Sequence, residues 1–70
     1  MVVLITGTAG GIGRATAQYF LDRGHEVHGL DILPGALTHE RYFHYIADVR
    51  NPESFPEGIF PEILVNCAGV

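Results

Sequence analysis

Short apolar runs separated by turn residues recur along the chain and predict four strands. These runs are VVLIT, HEVHGLD, YFHYIAD and EILVNCAG, at residues 2–6, 25–31, 42–48 and 62–69. The first run is continuous, short and rich in β-branched residues, which is typical of a central parallel strand buried on both faces.

A helix is predicted between the first two strands. Apolar or small residues recur there at helical spacing and form one stripe, which consists of Ile12, Ala15, Thr16, Tyr19 and Phe20. A stripe of this kind faces the core of a protein. We expect the helix to end at the sequence DRG, where Gly24 can adopt the left-handed conformation of a C-terminal cap.

The later connections are poor in helical pattern. The segment ILPGALTHER has room for barely two helical turns, and the proline-rich RNPESFPEGIFPE predicts a long loop with room for a single turn. Strand, helix and parallel strand together form a right-handed crossover unit. We therefore predict an α/β fold in which one face of the sheet is thinly covered.

Composition and charge narrow the classes of partner. The 70 residues are 47% hydrophobic and 17% charged, which is typical of a small packed domain. A formal net charge of −4 disfavours nucleic acid and anionic membranes as partners. The sequence contains no signal-peptide pattern and no run of about 20 apolar residues. Its single cysteine, Cys67, predicts a reducing, cytoplasmic setting.

The stretch TGTAGGIG between the first strand and the helix is rich in glycine. A strand that turns sharply into a helix with bare amide groups requires positive φ angles and no obstructing side chain. The exposed helix N-terminus then attracts phosphate. On this interpretation Gly7 makes the turn, Gly11 allows a pyrophosphate to approach, and Gly13 lets the helix lie close to the strand. The alternative is a tight turn that binds no ligand.

An acidic residue at the end of the second strand favours the ligand-binding alternative. Asp31 stands close to the position where a carboxylate accepts hydrogen bonds from an adenosine ribose. The alternative for Asp31 is a solvated carboxylate at a strand end. Because a carboxylate repels a 2′-phosphate, and neither Gly10 nor Ile32 supplies a cation, we expect NAD to be preferred over NADP.

Four motifs in order resemble the short-chain dehydrogenase/reductase family. TGTAGGIG, from Thr6 to Gly13, is similar to its TGxxxGxG pattern. Asp31 closes the second strand, Asp48 and Val49 form the DV after the third, and NCAG at 66–69 stands where the family usually has NNAG. The resemblance covers essentially the whole chain and implies a Rossmann-like fold, with residues 1–70 as its NAD(P)-binding portion. On this basis we predict the N-terminal half of a doubly wound parallel sheet with strand order 3-2-1-4.

The resemblance also implies a set of cofactor-binding residues. In this family the glycine loop lines the pyrophosphate, Asp31 holds the ribose, Asp48 and Val49 frame the adenine, and the NCAG turn runs beside the cofactor. The implied residues are Gly7, Thr8, Gly10, Gly11, Ile12, Gly13, Asp31, Ile32, Asp48, Val49, Asn66, Ala68 and Gly69. Cys67 departs from the family pattern, and we interpret it as a small buried hydrophobe.

The family's catalytic residues have no counterpart in this sequence. Short-chain dehydrogenases use a Tyr with a Lys four positions later and a Ser nearby, whereas this chain contains no lysine. Tyr19 and Arg23 imitate the spacing but are better explained as a core aromatic and a solvated cation. We therefore expect the front part of a longer NAD-dependent oxidoreductase with an alcohol or carbonyl substrate, assembled as a homo-oligomer and inactive as these residues alone. The alternative is a non-catalytic nucleotide-binding or interaction module complete at 70 residues.

Histidines and aromatic residues add no further site. His25, His28, His39 and His44 have no accompanying cysteine or carboxylate cluster, so a metal site is disfavoured and hydrogen-bonded or solvent-facing rings are expected. The aromatic residues of the third strand, Tyr42, Phe43 and Tyr45, are explained by core and cover packing.

Overall fold

The computed structural model describes residues 1–35 and 37–67 and contains four strands, one α-helix and one 3₁₀ turn. The strands are β1 (Val2–Thr6), β2 (Glu26–Asp31), β3 (Tyr42–Ile46) and β4 (Ile63–Asn66). The helix α1 (Gly11–Asp22) follows β1, and the 3₁₀ turn Pro52–Ser54 lies between β3 and β4.

All strand pairs in the sheet are parallel, and the strand order is β3-β2-β1-β4. The central strand β1 pairs with β2 through Val3 and Val27 and with β4 through Val3 and Ile63. The predicted order 3-2-1-4 is confirmed. Since the strands are parallel, their carboxyl ends meet at one edge of the sheet, and the turn after β1 lies at that edge.

The core lies between α1 and one face of the sheet. Val3, Ile5 and Val27 are fully buried there and pack with Ala17 and Leu21 of the helix. Burial of a Val, Leu or Ile side chain contributes about 1.5–3 kcal/mol. These few side chains therefore hold the helix on the strands.

The helix turns a different face to the core from the one predicted. Gly13, Ala17 and Leu21 are its buried residues, whereas Ile12 is 78% exposed and Tyr19 51% exposed. The predicted stripe is therefore wrong, apart from Thr16 and Phe20, which are partly buried. The physical reason is close packing, since small residues at 13 and 17 let the helix axis approach β1 where larger side chains would hold it away.

The exposed Tyr19 is paired with Arg23 across one helical turn. The guanidinium carbon of Arg23 lies 3.5 Å from the centre of the Tyr19 ring, which is a cation–π contact. The interpretation of Tyr19 as a core aromatic is thus wrong. The predicted helix end is confirmed, because Gly24 has a φ of 82° and its amide donates to the carbonyl of Leu21.

Three predicted strands are longer than the strands observed. β2 begins at Glu26, and β3 ends at Ile46, opposite Asp31 at the end of β2. Because β2 stops at Asp31, Asp48 has no strand partner and lies in a turn. β4 begins at Ile63 and ends at Asn66, and the end of its predicted range, Ala68 and Gly69, lies outside the described residues.

The opposite face of the sheet carries no long helix within residues 1–35 and 37–67. His28 is buried there between aromatic neighbours, with ring centres 5.0 Å from Phe43 and 5.7 Å from Tyr45. Leu64 on the same face is 66% exposed.

The predicted single turn in the proline-rich segment is confirmed at Pro52–Ser54.

Candidate functional site

A cavity of about 610 Å³ opens at the carboxyl ends of the strands. Its lining comes from the loop after β1, the end of β2, the turn after β3 and the residue after β4. These residues are Gly7, Ala9, Gly10, Leu30, Asp31, Ile32, Leu33, Ala47, Asp48, Val49, Arg50 and Cys67. The volume falls within the roughly 300–1,000 Å³ of small-molecule sites.

Two glycines shape the loop between β1 and α1. Gly7 has a φ of 77°, a left-handed conformation that glycine adopts without strain, and its amide donates to the carbonyl of Leu30 at 2.7 Å. A Cβ added at Gly13 would overlap the Gly7 carbonyl and lie 2.6 Å from its carbon. Gly7 therefore makes the turn, and Gly13 allows the helix to approach the strand.

The N-terminus of α1 is accessible beside this loop. A Cβ added at Gly11 would have no described heavy atom within 4 Å, apart from its chain neighbours and the helix backbone. No side chain among the described residues caps the helix at Gly10. The first amides of a helix and the positive end of its dipole favour an anion, so this end can bind a phosphate.

The Asp31 carboxylate lies at the rim of the cavity and is held by two backbone amides. Its Oδ2 accepts from Ala9 N at 2.9 Å, and its Oδ1 accepts from Leu33 N at 3.0 Å. Each carboxylate oxygen has a further lone pair for a ligand hydroxyl. No ion pair of Asp31 occurs within residues 1–35 and 37–67, so no cation there neutralises its charge.

A second carboxylate, Asp48, lies on the other side of the cavity and is paired with Arg50. Nε of Arg50 donates to Oδ1 at 3.1 Å and its terminal nitrogen donates to Oδ2 at 3.0 Å. The hydrogen bonds from Arg50 hold the pKa of the Asp48 carboxyl below its ordinary value of 3.8. Asp48 also holds its turn, because its amide donates to the Ser54 hydroxyl.

Behind the glycine loop, Thr8 belongs to a buried polar network. The Tyr42 hydroxyl is hydrogen-bonded to Thr8 Oγ1 at 2.8 Å and to Nδ1 of His44 at 2.7 Å. Thr8 is 1% exposed and Tyr42 8% exposed. Burial raises the pKa of the Tyr42 phenol above its ordinary 10.0, the hydrogen bond with Thr8 lowers it, and the Asp31 charge raises it. Tyr42 is therefore a neutral phenol at physiological pH.

The predicted site residues divide into groups in the structure. The cavity brings together six of them, which are Gly7, Gly10, Asp31, Ile32, Asp48 and Val49. Gly11 and Ile12 line a shallow groove with Tyr19 on the outer face of α1 instead. Asn66 does not line the cavity, and its Oδ1 accepts from the Thr6 hydroxyl at 2.6 Å. Ala68 and Gly69 lie outside the described residues.

Sequence reasoning missed several lining residues. Arg50 directly follows the DV motif, and a cation two positions after Asp48 was a sequence signal for an ion pair. Cys67 is half-buried and contributes to both the core and the cavity. The Tyr42 and His44 network had no sequence signal, because its partners are distant along the chain.

The four histidine rings take part in hydrogen bonds. Each histidine ring has a hydrogen-bond partner, including Glu26 for His28 and the Met1 amino group for His25. No group of three potential metal ligands occurs in the described part of the chain. In that same part of the chain, α1 has 12 residues and is too short to cross a bilayer, and no other helix is long enough to do so.

Comparison with known proteins identifies relatives of the chain. Residues 3–70 match the NAD dependent epimerase/dehydratase family. The chain is 38% identical to the short chain dehydrogenase ausX of Penicillium brasilianum, over 99% of this chain and 31% of that protein. It is 32% identical to an uncharacterized oxidoreductase of Schizosaccharomyces pombe, over 99% of this chain and 30% of that protein. The resemblance to short-chain dehydrogenases is thus confirmed.

Solved structures show the same fold. A short chain dehydrogenase of Leptospira borgpetersenii with bound NAD⁺ superposes with a TM-score of 0.88 at 30% identity, over 99% of this chain and 31% of that one. The aldohexose dehydrogenase of Thermoplasma acidophilum gives a TM-score of 0.82 at 38% identity, over 99% and 29%. The sheet is therefore of the Rossmann type, and the chain spans about a third of the length of its curated relatives.

Proposed function

The chain belongs to the NAD dependent epimerase/dehydratase family, and from this premise we propose that it is the dinucleotide-binding part of a short-chain dehydrogenase/reductase. The complete protein transfers hydride between a nicotinamide cofactor and an alcohol or carbonyl substrate. The catalytic Ser, Tyr and Lys lie outside these 70 residues, which contain no lysine. When bound, the nicotinamide ring supplies or accepts the hydride.

The glycine loop and the start of α1 would hold the pyrophosphate. The left-handed turn at Gly7 and the uncapped helix start at Gly10 lie beside the open space at Gly11. That space would be filled by any side chain at position 11, so it fits a phosphate that touches the backbone. Thr8 supports the loop from behind through Tyr42.

The carboxylate of Asp31 would accept hydrogen bonds from the adenosine ribose. The observation that carries the proposal is that two backbone amides, of Ala9 and Leu33, fix this carboxylate at the cavity rim. A fixed acceptor with free lone pairs is complementary to a pair of hydroxyl groups. Asp48, Val49 and the exposed side chain of Ile32 would then frame the adenine.

Charge in the cavity favours NAD over NADP. The Arg50 guanidinium is the cation of the lining, but it is held by both oxygens of Asp48. Asp31 therefore meets an incoming 2′-phosphate without a counter-charge, and like charges at close range repel. A 2′-hydroxyl carries no such penalty.

Titration of the full-length protein with NADH and NADPH tests the proposal. We expect NADH to bind at least about tenfold more tightly, which corresponds to about 1.4 kcal/mol. Asp31→Asn keeps the shape of the side chain and removes its charge, so it narrows the difference. Glu57→Gln removes an equivalent charge from an exposed position outside the cavity and leaves the difference unchanged. Tighter binding of NADPH, or no binding of either cofactor, contradicts the proposal.

A further inference from the structure

The Asp31 carboxylate is one member of a closed circuit of hydrogen bonds. On the cavity side, Ala9 N donates to Oδ2 of Asp31 and Leu33 N donates to Oδ1. These two bonds join the glycine loop to the loop that follows β2. The carboxylate is therefore held by both loops at once.

The circuit closes behind the cavity through two residues of β3. Nε2 of His44 donates to the carbonyl of Leu33 at 2.9 Å, and Nδ1 is hydrogen-bonded to the Tyr42 hydroxyl at 2.7 Å. The same hydroxyl is hydrogen-bonded to Thr8, which is covalently joined to Ala9. Each loop is thus anchored twice, once to Asp31 and once to β3.

Two glycines give space to the members of the circuit on β3. A Cβ at Gly29 would lie 2.5 Å from Thr8 Oγ1 and would overlap the Tyr42 hydroxyl. A Cβ at Gly35 would lie 2.5 Å from Nδ1 of His44 and 2.8 Å from two ring carbons. Side chains at either position would displace these groups, so the backbone is shaped around the circuit.

We propose that Tyr42 and His44 are positioning residues for cofactor selection, which orient the Asp31 carboxylate by anchoring the two loops that hold it. The inference rests on the proposed function, since it assigns these residues to the ribose end of the same dinucleotide site. Neither side chain lines the cavity. They act through Thr8 and Leu33.

The direction of the effect follows from the geometry. Without the bond from His44, the backbone of Leu33 keeps its bond to Asp31 but loses its bond to β3, so Leu33 and the carboxylate can move together. A displaced carboxylate binds the ribose hydroxyls less well and also repels a 2′-phosphate less. Loss of the anchor therefore weakens NADH binding more than NADPH binding, whereas a general loss of stability weakens both alike.

A pair of substitutions at His44 in the full-length protein tests this inference. His44→Leu removes both ring nitrogens, and we expect the dissociation constant of NADH to rise about five- to tenfold, as for loss of an ordinary hydrogen bond. The preference for NADH over NADPH falls with it. His44→Gln places an amide nitrogen near the position of Nε2, restores the donor to Leu33, and recovers most of the preference. Melting temperatures are followed in parallel.

A second substitution and a matched control keep the test decisive. Tyr42→Phe removes only the hydroxyl and lowers the preference even if His44→Leu does not fold. Tyr45→Phe removes a hydroxyl from the same strand on the opposite face, where it contacts His28, and leaves the preference unchanged. The inference is overturned if His44→Leu and Tyr42→Phe keep the wild-type preference while Asp31→Asn reduces it. If the wild type binds neither cofactor, the proposed function itself is wrong.

Discussion

The amide of Ala9 donates a hydrogen bond of 2.9 Å to Oδ2 of Asp31 and so joins the glycine loop to the end of β2. Ala9 lies in the loop after β1 and Asp31 ends β2, and the carboxyl ends of these two paired strands are adjacent. This bond fixes the carboxylate at the end of the cavity that we propose binds the ribose. Organisation of this kind reduces the entropy that binding must overcome.

Gly13 and Gly11 separate the structural and ligand-binding roles of the loop. Gly13→Ala places a methyl group against the Gly7 carbonyl, and we expect it to destabilise the protein by about 1–3 kcal/mol. Gly11→Ala meets open space, so stability is kept or rises by about 0.5–1 kcal/mol, while dinucleotide binding weakens. Chemical denaturation and NADH titration of both variants measure this. Normal NADH binding by Gly11→Ala would show that no phosphate touches the backbone there.

Gly29 is expected to be essential for the packing of Tyr42 beneath the glycine loop. Gly29→Ala should destabilise the fold by about 1–3 kcal/mol, because its Cβ overlaps the Tyr42 hydroxyl and presses on Thr8. The penalty should be smaller in a Tyr42→Phe background, where the hydroxyl is absent. A double-mutant cycle of unfolding free energies measures the coupling. Additive effects of the two substitutions would contradict the described contact.

Tyr42 makes stability depend on alkaline pH. Its pKa is raised, chiefly by burial, above the ordinary value of 10.0. The folded state therefore holds the proton more tightly than the unfolded chain, so this contribution is complete below pH 10.0 and is lost as the pH rises through the folded pKa. Urea denaturation below and above pH 10.0 should show that the free energy of unfolding falls more steeply with rising pH in the wild type than in Tyr42→Phe. Parallel losses would contradict the raised pKa.

The ion pair of Asp48 and Arg50 makes stability depend on acidic pH. Hydrogen bonds from Arg50 lower the pKa of the Asp48 carboxyl. The stabilisation from this pair is present above the ordinary carboxyl pKa and is lost as the pH falls through the lowered folded value. NMR titration of the Asp48 carboxyl carbon should show its pKa rising towards 3.8 in Arg50→Ala. Arg14→Ala, an exposed change on α1, should leave that carboxyl unchanged.

The sheet could be predicted from the sequence because its information is local. Each strand is a short apolar run with turn residues beside it, and the glycine at position 24 marks the end of α1. The turn at Gly7 and the close approach at Gly13 were also predictable, since only glycine meets both requirements. The order of the strands was predictable from the family resemblance, because the crossover rule sets only the handedness of the connection between parallel strands.

The buried face of α1 could not be read from hydrophobicity. The stripe of Ile12 and Tyr19 is more apolar than the face of Gly13 and Ala17, yet the second is buried. The helix packs closely against the sheet, and only small side chains fit between the two backbones. Small residues four positions apart, Gly13 and Ala17, were therefore a better indicator of the buried face than apolar spacing.

The polar contacts of the site were beyond sequence reasoning for a related reason. Tyr42 and Thr8 are 34 positions apart, and only the pairing of β2 with β3 brings them together. Arg50 could be assigned to the turn but not to both oxygens of Asp48, because that geometry depends on the conformation of the turn. The sequence therefore indicated which residues are candidates for cofactor binding, and the folded structure determines how their side chains are oriented.

Amide NMR mapping tests whether the cavity at the carboxyl ends of the strands binds NAD. On addition of NAD⁺ to the isotope-labelled full-length protein, we expect shifts at the amides of Gly10–Gly13, Ile32 and Val49. We expect little change at Phe43 and Leu64, on the opposite face of the sheet. Shifts confined to that opposite face, or no shifts at saturating NAD⁺, would show that NAD does not bind in this cavity.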